Sequence, residues 1–137
     1  MKPALKTPVC PCGRLDAKKK PLAFSACCGL YLDDFDETPA PDAESLMRSR
    51  YSAFALGRSD YLLATWYAST RPPQLELNAA GKWLGLEVRS HRVIDASHAE
   101  VEFVARCREA GLAIRLHERS LFVREQGRWH YVDGAQF

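Results

Sequence analysis

Four of the five cysteines crowd into one short stretch, "CPCGRLDAKKKPLAFSACCG", from Cys10 to Gly29. They fall in two pairs, Cys10 with Cys12 and Cys27 with Cys28. Clustered thiols in a reducing compartment more often hold metal than form disulfides. Four thiolates complete a tetrahedral zinc shell with Zn–S distances near ~2.3 Å. Such a shell has no open position, so the expected ion is structural, not catalytic. A glycine follows each pair, at Gly13 and Gly29, and lets the backbone turn tightly beside the sulfurs. Pro8 and Pro11 stiffen the approach to the first pair. A redox dithiol and a set of unliganded thiols are the alternatives. C-x-C and adjacent Cys-Cys both depart from the C-x-x-C redox spacing, although nearby lysines would favour thiolates. Cys107 stands alone between Arg106 and Arg108 on an apolar row and reads as a small core hydrophobe.

A second group of chemically capable residues lies near the end of the chain. Along "LAIRLHERSLF" the even positions run Leu112, Ile114, Leu116, Glu118, Ser120, Phe122. Strict strand alternation therefore places a carboxylate and a hydroxyl on the covered face. Matching apolar faces across "EAG" pairs Phe103 with Leu116 and Val101 with Glu118. Across "EQG" the same procedure pairs Phe122 with Tyr131 and Ser120 with Asp133. Glu118, Ser120 and Asp133 are thus expected together at one end of a concave face, where Glu118 or Asp133 could act as a general base. A bulge would instead bring His117 and Arg119 inward. Arg50 falls inside the apolar stripe of the preceding helix and needs a carboxylate, so it is expected to pair with Glu118 or Asp133. That arrangement reads first as a buried ion pair locking helix to sheet. Its functional reading is a ligand pocket with Tyr51, Trp66, Tyr67, Trp129 and Tyr131 as aromatic walls. The four histidines, His91, His98, His117 and His130, show no metal-ligand spacing.

The elements that must position these groups follow from periodicity. "TPAPDAESLMRSRYSAFALG" reads as a helix with Pro41 in its first turn and Gly57 at its exit. Met47, Tyr51 and Phe54 form its stripe at i, i+4 and i+7, widened by Leu46 and Ala53. Ser59 can cap a second helix that buries Leu62, Leu63, Trp66 and Tyr67, and "RPP" at 71–73 ends it. A short helix or turn is expected over 74–82. From Trp83 the period becomes two. Leu84, Leu86 and Val88 start one row, Val101 to Cys107 the next, Leu112 to Leu116 a third, and "RWHYVDG" the last strand. Helices followed by four antiparallel strands predict an α+β fold with helices covering one sheet face.

The chain has 137 residues, 47% of them hydrophobic, enough for one compact core. No apolar run spans a membrane and the start lacks a signal-like segment, so the expected location is cytoplasmic. The net charge is +2, but residues 1–29 carry six lysines and arginines against Asp16 alone. That leaves +5 on the head and −3 on the rest. Lys18–Lys20 read first as a solvated loop, and second as a contact for an acidic partner, nucleic acid or anionic surface.

The segment "CPCG…CCG" resembles the SEC-C zinc motif. "LMRSRYSAF", "DYLLATW", "VEFVARCREAG" and "LHERSLFVREQGRWHYVDG" resemble the YchJ-like family of small bacterial proteins, in the same order and over nearly the whole chain. The resemblance implies a SEC-C-type zinc knuckle over 1–32, followed over 33–137 by a nuclear-transport-factor-2-like (NTF2-like), cystatin-like cone of helices on a curved antiparallel sheet. It implies no activity. The usual motif reads C-x-C-G-S-G with a shorter gap before the last ligands; here the connecting loop is longer and must bulge outward with Lys18–Lys20. The preferred functional expectation is a zinc-binding accessory or binding protein with a small-ligand pocket and an unidentified protein or small-molecule partner. A small-molecule enzyme using a pocket carboxylate is the alternative. Nucleic-acid binding through the basic head ranks last, because no aromatic platform accompanies the lysines. Relatives of this fold commonly dimerise through the open sheet face, which makes a homodimer a candidate.

Overall fold

The computed structural model describes residues 8–77 and 81–137. Lys2 and Lys6 of the basic head lie outside that range, as do residues 78–80 of the expected 74–82 element; residues 74–77 are not helical.

The head folds as a small hairpin. Val9 pairs with Ala23 and Leu15 with Pro21, and the Asp16 carboxylate accepts from the amides of Lys18 and Lys20. This turn holds Lys18–Lys20 out in solvent, as the lengthened loop requires. A 3-10 turn at Phe24–Ala26 and a single helical turn, α1 (Gly29–Leu32), then carry Cys27 and Cys28 inward.

The long helix α2 (Ala43–Leu56) begins at a capping Asp42, whose carboxylate accepts from the Ser45 amide at 2.7 Å. Such a cap contributes about 1 kcal/mol. Pro41 therefore precedes the cap and does not occupy the first turn. Gly57 ends the helix in a left-handed conformation at φ 74°. α3 (Ser59–Ala64) starts one residue earlier than a Ser59 cap would place it, with Arg58 as the flanking residue. It ends before Trp66. The segment beyond it pairs with the last strand: Tyr67 donates to the Tyr131 carbonyl, and Tyr131 to that of Thr65. This pairing covers part of an otherwise open sheet edge.

Four strands form an antiparallel meander: β1 (Lys82–Asp95), β2 (His98–Glu109), β3 (Leu112–Glu125) and β4 (Arg128–Gln136). Phe103 faces Glu118, Ala105 faces Leu116 and Val101 faces Ser120, a register two residues from the expected one. The turn explains the slip. Ala110 and Gly111 are its two central residues, both at positive φ, a two-residue turn that wants glycine second. The expected register had centred the turn one residue earlier. Phe122 does pair with Tyr131.

Bulges decide which side chains face the helices. One between Trp83 and Gly85 turns Leu84 outward, to 48% exposure. Trp83 packs instead against Tyr51 and Phe54, at 5.4 and 5.7 Å between ring centroids. Another, between Leu121 and Phe122, sets Asp133 opposite Leu121 and Gly134 opposite Ser120. Asp133 is consequently exposed and leaves the concave face, while Glu118 and Ser120 stay on it.

α2 is buried on almost every side. Met47 and Tyr51 face the sheet, whereas Ser45 and Ser52 face the head. One cluster of buried residues runs from the four head cysteines through α2 to Val101, Phe103 and Phe122 of the sheet. Contacts therefore cross the boundary expected at 32/33.

Candidate metal centre and adjoining cavity

Cys10, Cys12, Cys27 and Cys28 bring their sulfurs within 4.8 Å of one another, and all four residues are buried. Cys12 lies 3.7 Å from Cys10 and 3.6 Å from Cys27. A tetrahedral ion with ~2.3 Å bonds to sulfur sets its ligands about 3.8 Å apart. The thiols therefore fit one tetrahedrally held metal ion. Their protonation points the same way. Hydrogen bonds from Cys12 and Cys28 hold the Cys10 thiol far below its usual range. Burial and the neighbouring negative sulfurs push Cys27 up to about 12, and the hydrogen bond to Cys10 drives Cys28 strongly upward. Cys27 and Cys28 thus resist ionising beside the Cys10 sulfur, a cost that a bound divalent ion would relieve.

Local backbone and α2 together position these sulfurs. Gly13 sits at φ 75°, a conformation that suits glycine. Gly29 is required for a different reason: a Cβ there would lie 2.7 Å from the Phe24 carbonyl oxygen and 2.9 Å from its ring. We expect Gly29→Ala to cost about 1–3 kcal/mol of stability through overpacking beside Cys28. Thermal unfolding compared with Gly85→Ala, which meets no neighbouring atom and needs no left-handed backbone, checks this; equal losses would refute the steric account. Across the boundary, Ser52 Oγ lies 3.5 Å from Cys10 Sγ, and Arg48 donates to the Cys12 carbonyl at 3.1 Å. Arg14 donates to Ser45 at 2.9 Å, and Glu44 accepts from Arg48. Ser45, Ser49 and Ser52 recur at i, i+4 and i+7, a stripe of small residues that marks close approach on this helix. That signal was available in the sequence beside the apolar stripe.

On the other side of α2, the helix and the concave sheet face border a partly open cavity of about 250 Å³. Arg50, Tyr51, Trp66, Glu118, Ser120 and Tyr131 line it, together with Met47, Phe54, Trp83, Phe103, Ala105, Leu116 and Phe122. Three expected members lie elsewhere. Asp133 is turned away by the β4 bulge. Tyr67 sits near Glu125. Trp129 lines a smaller crevice with Phe35 and Tyr61. Trp83 was missed because only the bulge brings it inward.

Arg50 makes no ion pair with Glu118 or Asp133. It is 6% exposed and donates from Nη1 to the Leu62 carbonyl at 2.8 Å and to Thr65 Oγ1 at 2.7 Å. Its guanidinium lies 4.6 Å from the Tyr131 ring centroid and 5.0 Å from that of Trp66. One carbonyl left over at the end of α3, the Thr65 hydroxyl and two aromatic faces thus replace the expected carboxylate. Burial pulls the guanidinium down to about 10, which leaves it charged at neutral pH. Glu118 accepts from Ser120 at 2.5 Å and lies against Gly134, where any Cβ would collide with its carboxylate. Burial, reinforced by the charge of Glu118, pushes Tyr131 up to about 12.

Comparison with known proteins places this architecture. The family description "YchJ, middle NTF2-like domain" matches residues 42–134. A UPF0225 protein from Polaromonas sp. is 70% identical over 126 residues, 91% of each chain. The chain belongs to the UPF0225 family. A second UPF0225 relative, from Polaromonas naphthalenivorans, is 67% identical and covers 96% of this chain and 99% of its own. Two solved structures share the fold. A SEC-C motif containing protein from Rhodopseudomonas palustris has a TM-score of 0.77 at 32% identity, covering 94% of this chain and 98% of its own. A sec-c motif containing protein from Psychrobacter arcticus has a TM-score of 0.76 at 32% identity, covering 91% and 80%. The UPF0225 chain thus joins an NTF2-like domain to an N-terminal cysteine cluster suited to metal. Among the described residues, no helix is long and apolar enough to cross a membrane.

Proposed function

We propose that this UPF0225 protein is a cytoplasmic binding module in which Cys10, Cys12, Cys27 and Cys28 hold one structural zinc ion. In this reading residues 1–32 form the zinc segment and 33–137 the NTF2-like body, whose cavity takes a small molecule. One observation carries the proposal: four buried thiols lie within 4.8 Å of one another, with Cys12 at the edge length of a tetrahedral thiolate site from both Cys10 and Cys27. Sulfur-only donors favour zinc among the common divalent ions. Four protein ligands leave the ion no position for a substrate, so its role is to hold the head against α2. Lys18–Lys20, exposed on the hairpin tip, offer a contact to an acidic partner. Elemental analysis of reduced, purified protein tests the proposal. One zinc per chain, and loss of head structure on chelation, is the expected result. Metal-free protein whose head is unaffected by chelator would overturn it.

A second reading makes the cavity catalytic, with Glu118 as general base. It draws on the position of Glu118 at the cavity wall with Ser120 fixing one carboxylate oxygen.

A further inference from the structure

The cavity wall is largely aromatic and aliphatic, yet one cation and one anion enter it from opposite elements. Arg50 comes from α2 and Glu118 from β3. No Arg50 nitrogen comes within 4.0 Å of a Glu118 oxygen. Arg50 instead uses Nη1 on two neutral oxygens, and Glu118 accepts from the Ser120 hydroxyl.

We infer that the cavity takes a small, neutral, planar aromatic molecule bearing a hydrogen-bond acceptor beside a donor, such as an aryl carboxamide or a ring lactam. This rests on reading the cavity as a ligand site. The acceptor meets the Arg50 guanidinium and the donor meets the Glu118 carboxylate, both charge-assisted hydrogen bonds. A carboxylate ligand would satisfy Arg50 but set a second anion beside Glu118. An ammonium ligand would satisfy Glu118 but face Arg50. A hydrocarbon would strip water from both and replace none of its hydrogen bonds. Only a neutral group with both functions leaves the balanced pair balanced. Flatness follows from the composition of the walls, where Tyr51, Trp66, Trp83 and Tyr131 are among the lining residues. Its size follows from the volume of about 250 Å³, equal to about eight waters, which suits one ring with a polar substituent or a compact bicycle.

The test uses the full zinc-loaded chain and four one-ring probes: benzamide, benzoate, benzylamine and toluene. The indole N–H signals of Trp66 and Trp83 report the cavity, and Trp129, which lies outside it, serves as the internal control. Benzamide is expected to shift the Trp66 and Trp83 signals saturably and leave Trp129 in place. The other three are expected to bind about tenfold more weakly or worse. In Glu118→Gln the anion is gone, so benzoate is expected to overtake benzamide. Equal or tighter binding of benzoate, benzylamine or toluene to the wild-type chain would overturn the ligand class while keeping the cavity as a ligand site. An unchanged preference in Glu118→Gln would also overturn the class. If no probe moves Trp66 or Trp83, the reading of the cavity as a ligand site fails instead.

Discussion

Cys12→Ser protein is expected to purify without its metal ion and with a cooperative unfolding transition far below that of the parent. Cys12 is the fully buried member of the first pair, with sulfur contacts to both Cys10 and Cys27. A hydroxyl neither ionises at neutral pH nor binds zinc as a thiolate does. Because the binding free energy of such a site is folding free energy, on the order of 10 kcal/mol, losing one ligand removes a large part of it. The consequence should not stay in the head. Arg48 reaches the Cys12 carbonyl, Ser52 contacts Cys10, and Arg14 holds Ser45, so α2 loses its packing on that side as well. Chelating the parent should therefore lower a single transition, not remove a separate one. Cys107→Ser is the control. Cys107 is also buried, at 4% exposure, but lies on β2 away from the other thiols, and its replacement should leave metal content unchanged. Inductively coupled plasma analysis with calorimetry reads both outcomes. A Cys12→Ser chain that retains stoichiometric zinc would refute the ligand assignment.

Arg50→Ala should lower stability by about 3 kcal/mol, whereas Arg50→Met should fall within about 1 kcal/mol of the parent. Alanine opens a void, removes the donor to Leu62 and Thr65, and strips the cation from between Tyr131 and Trp66. Methionine refills the space and removes a buried charge that has no ionic partner, offsetting much of the loss. Urea midpoints distinguish the two variants. Equal losses would mean that the hydrogen bonds to α3 dominate and packing does not. A gain in stability for alanine would remove Arg50 from the account of the core.

Some of this was legible in local pattern. The two cysteine pairs, a long helix ending at Gly57 and the four strands follow from spacing and turn chemistry alone. So does the inward position of Glu118 and Ser120, because alternation along β3 is unbroken. The α2 serines were equally visible at i, i+4 and i+7, but small polar residues announce a close neighbour without saying which one. Trp83, Asp133 and the Arg50 partners were not legible. Each depends on an event that composition does not mark: a bulge that inserts one residue in β1, a bulge that reverses the β4 facing, and the approach of the α3 terminus.

The sequence by itself determined that this chain gathers four thiols ahead of an α+β body and that one carboxylate points into its concavity. Only the tertiary structure decided that α2 lies between the thiol cluster and the sheet, that Arg50 rests on rings, a carbonyl and a hydroxyl instead of a carboxylate, and that Asp133 faces solvent. The physical reason is range. Periodicity reports which way neighbouring side chains point, whereas register, bulges and partners across elements are set when the sheet closes over the helix and every buried donor must find an acceptor.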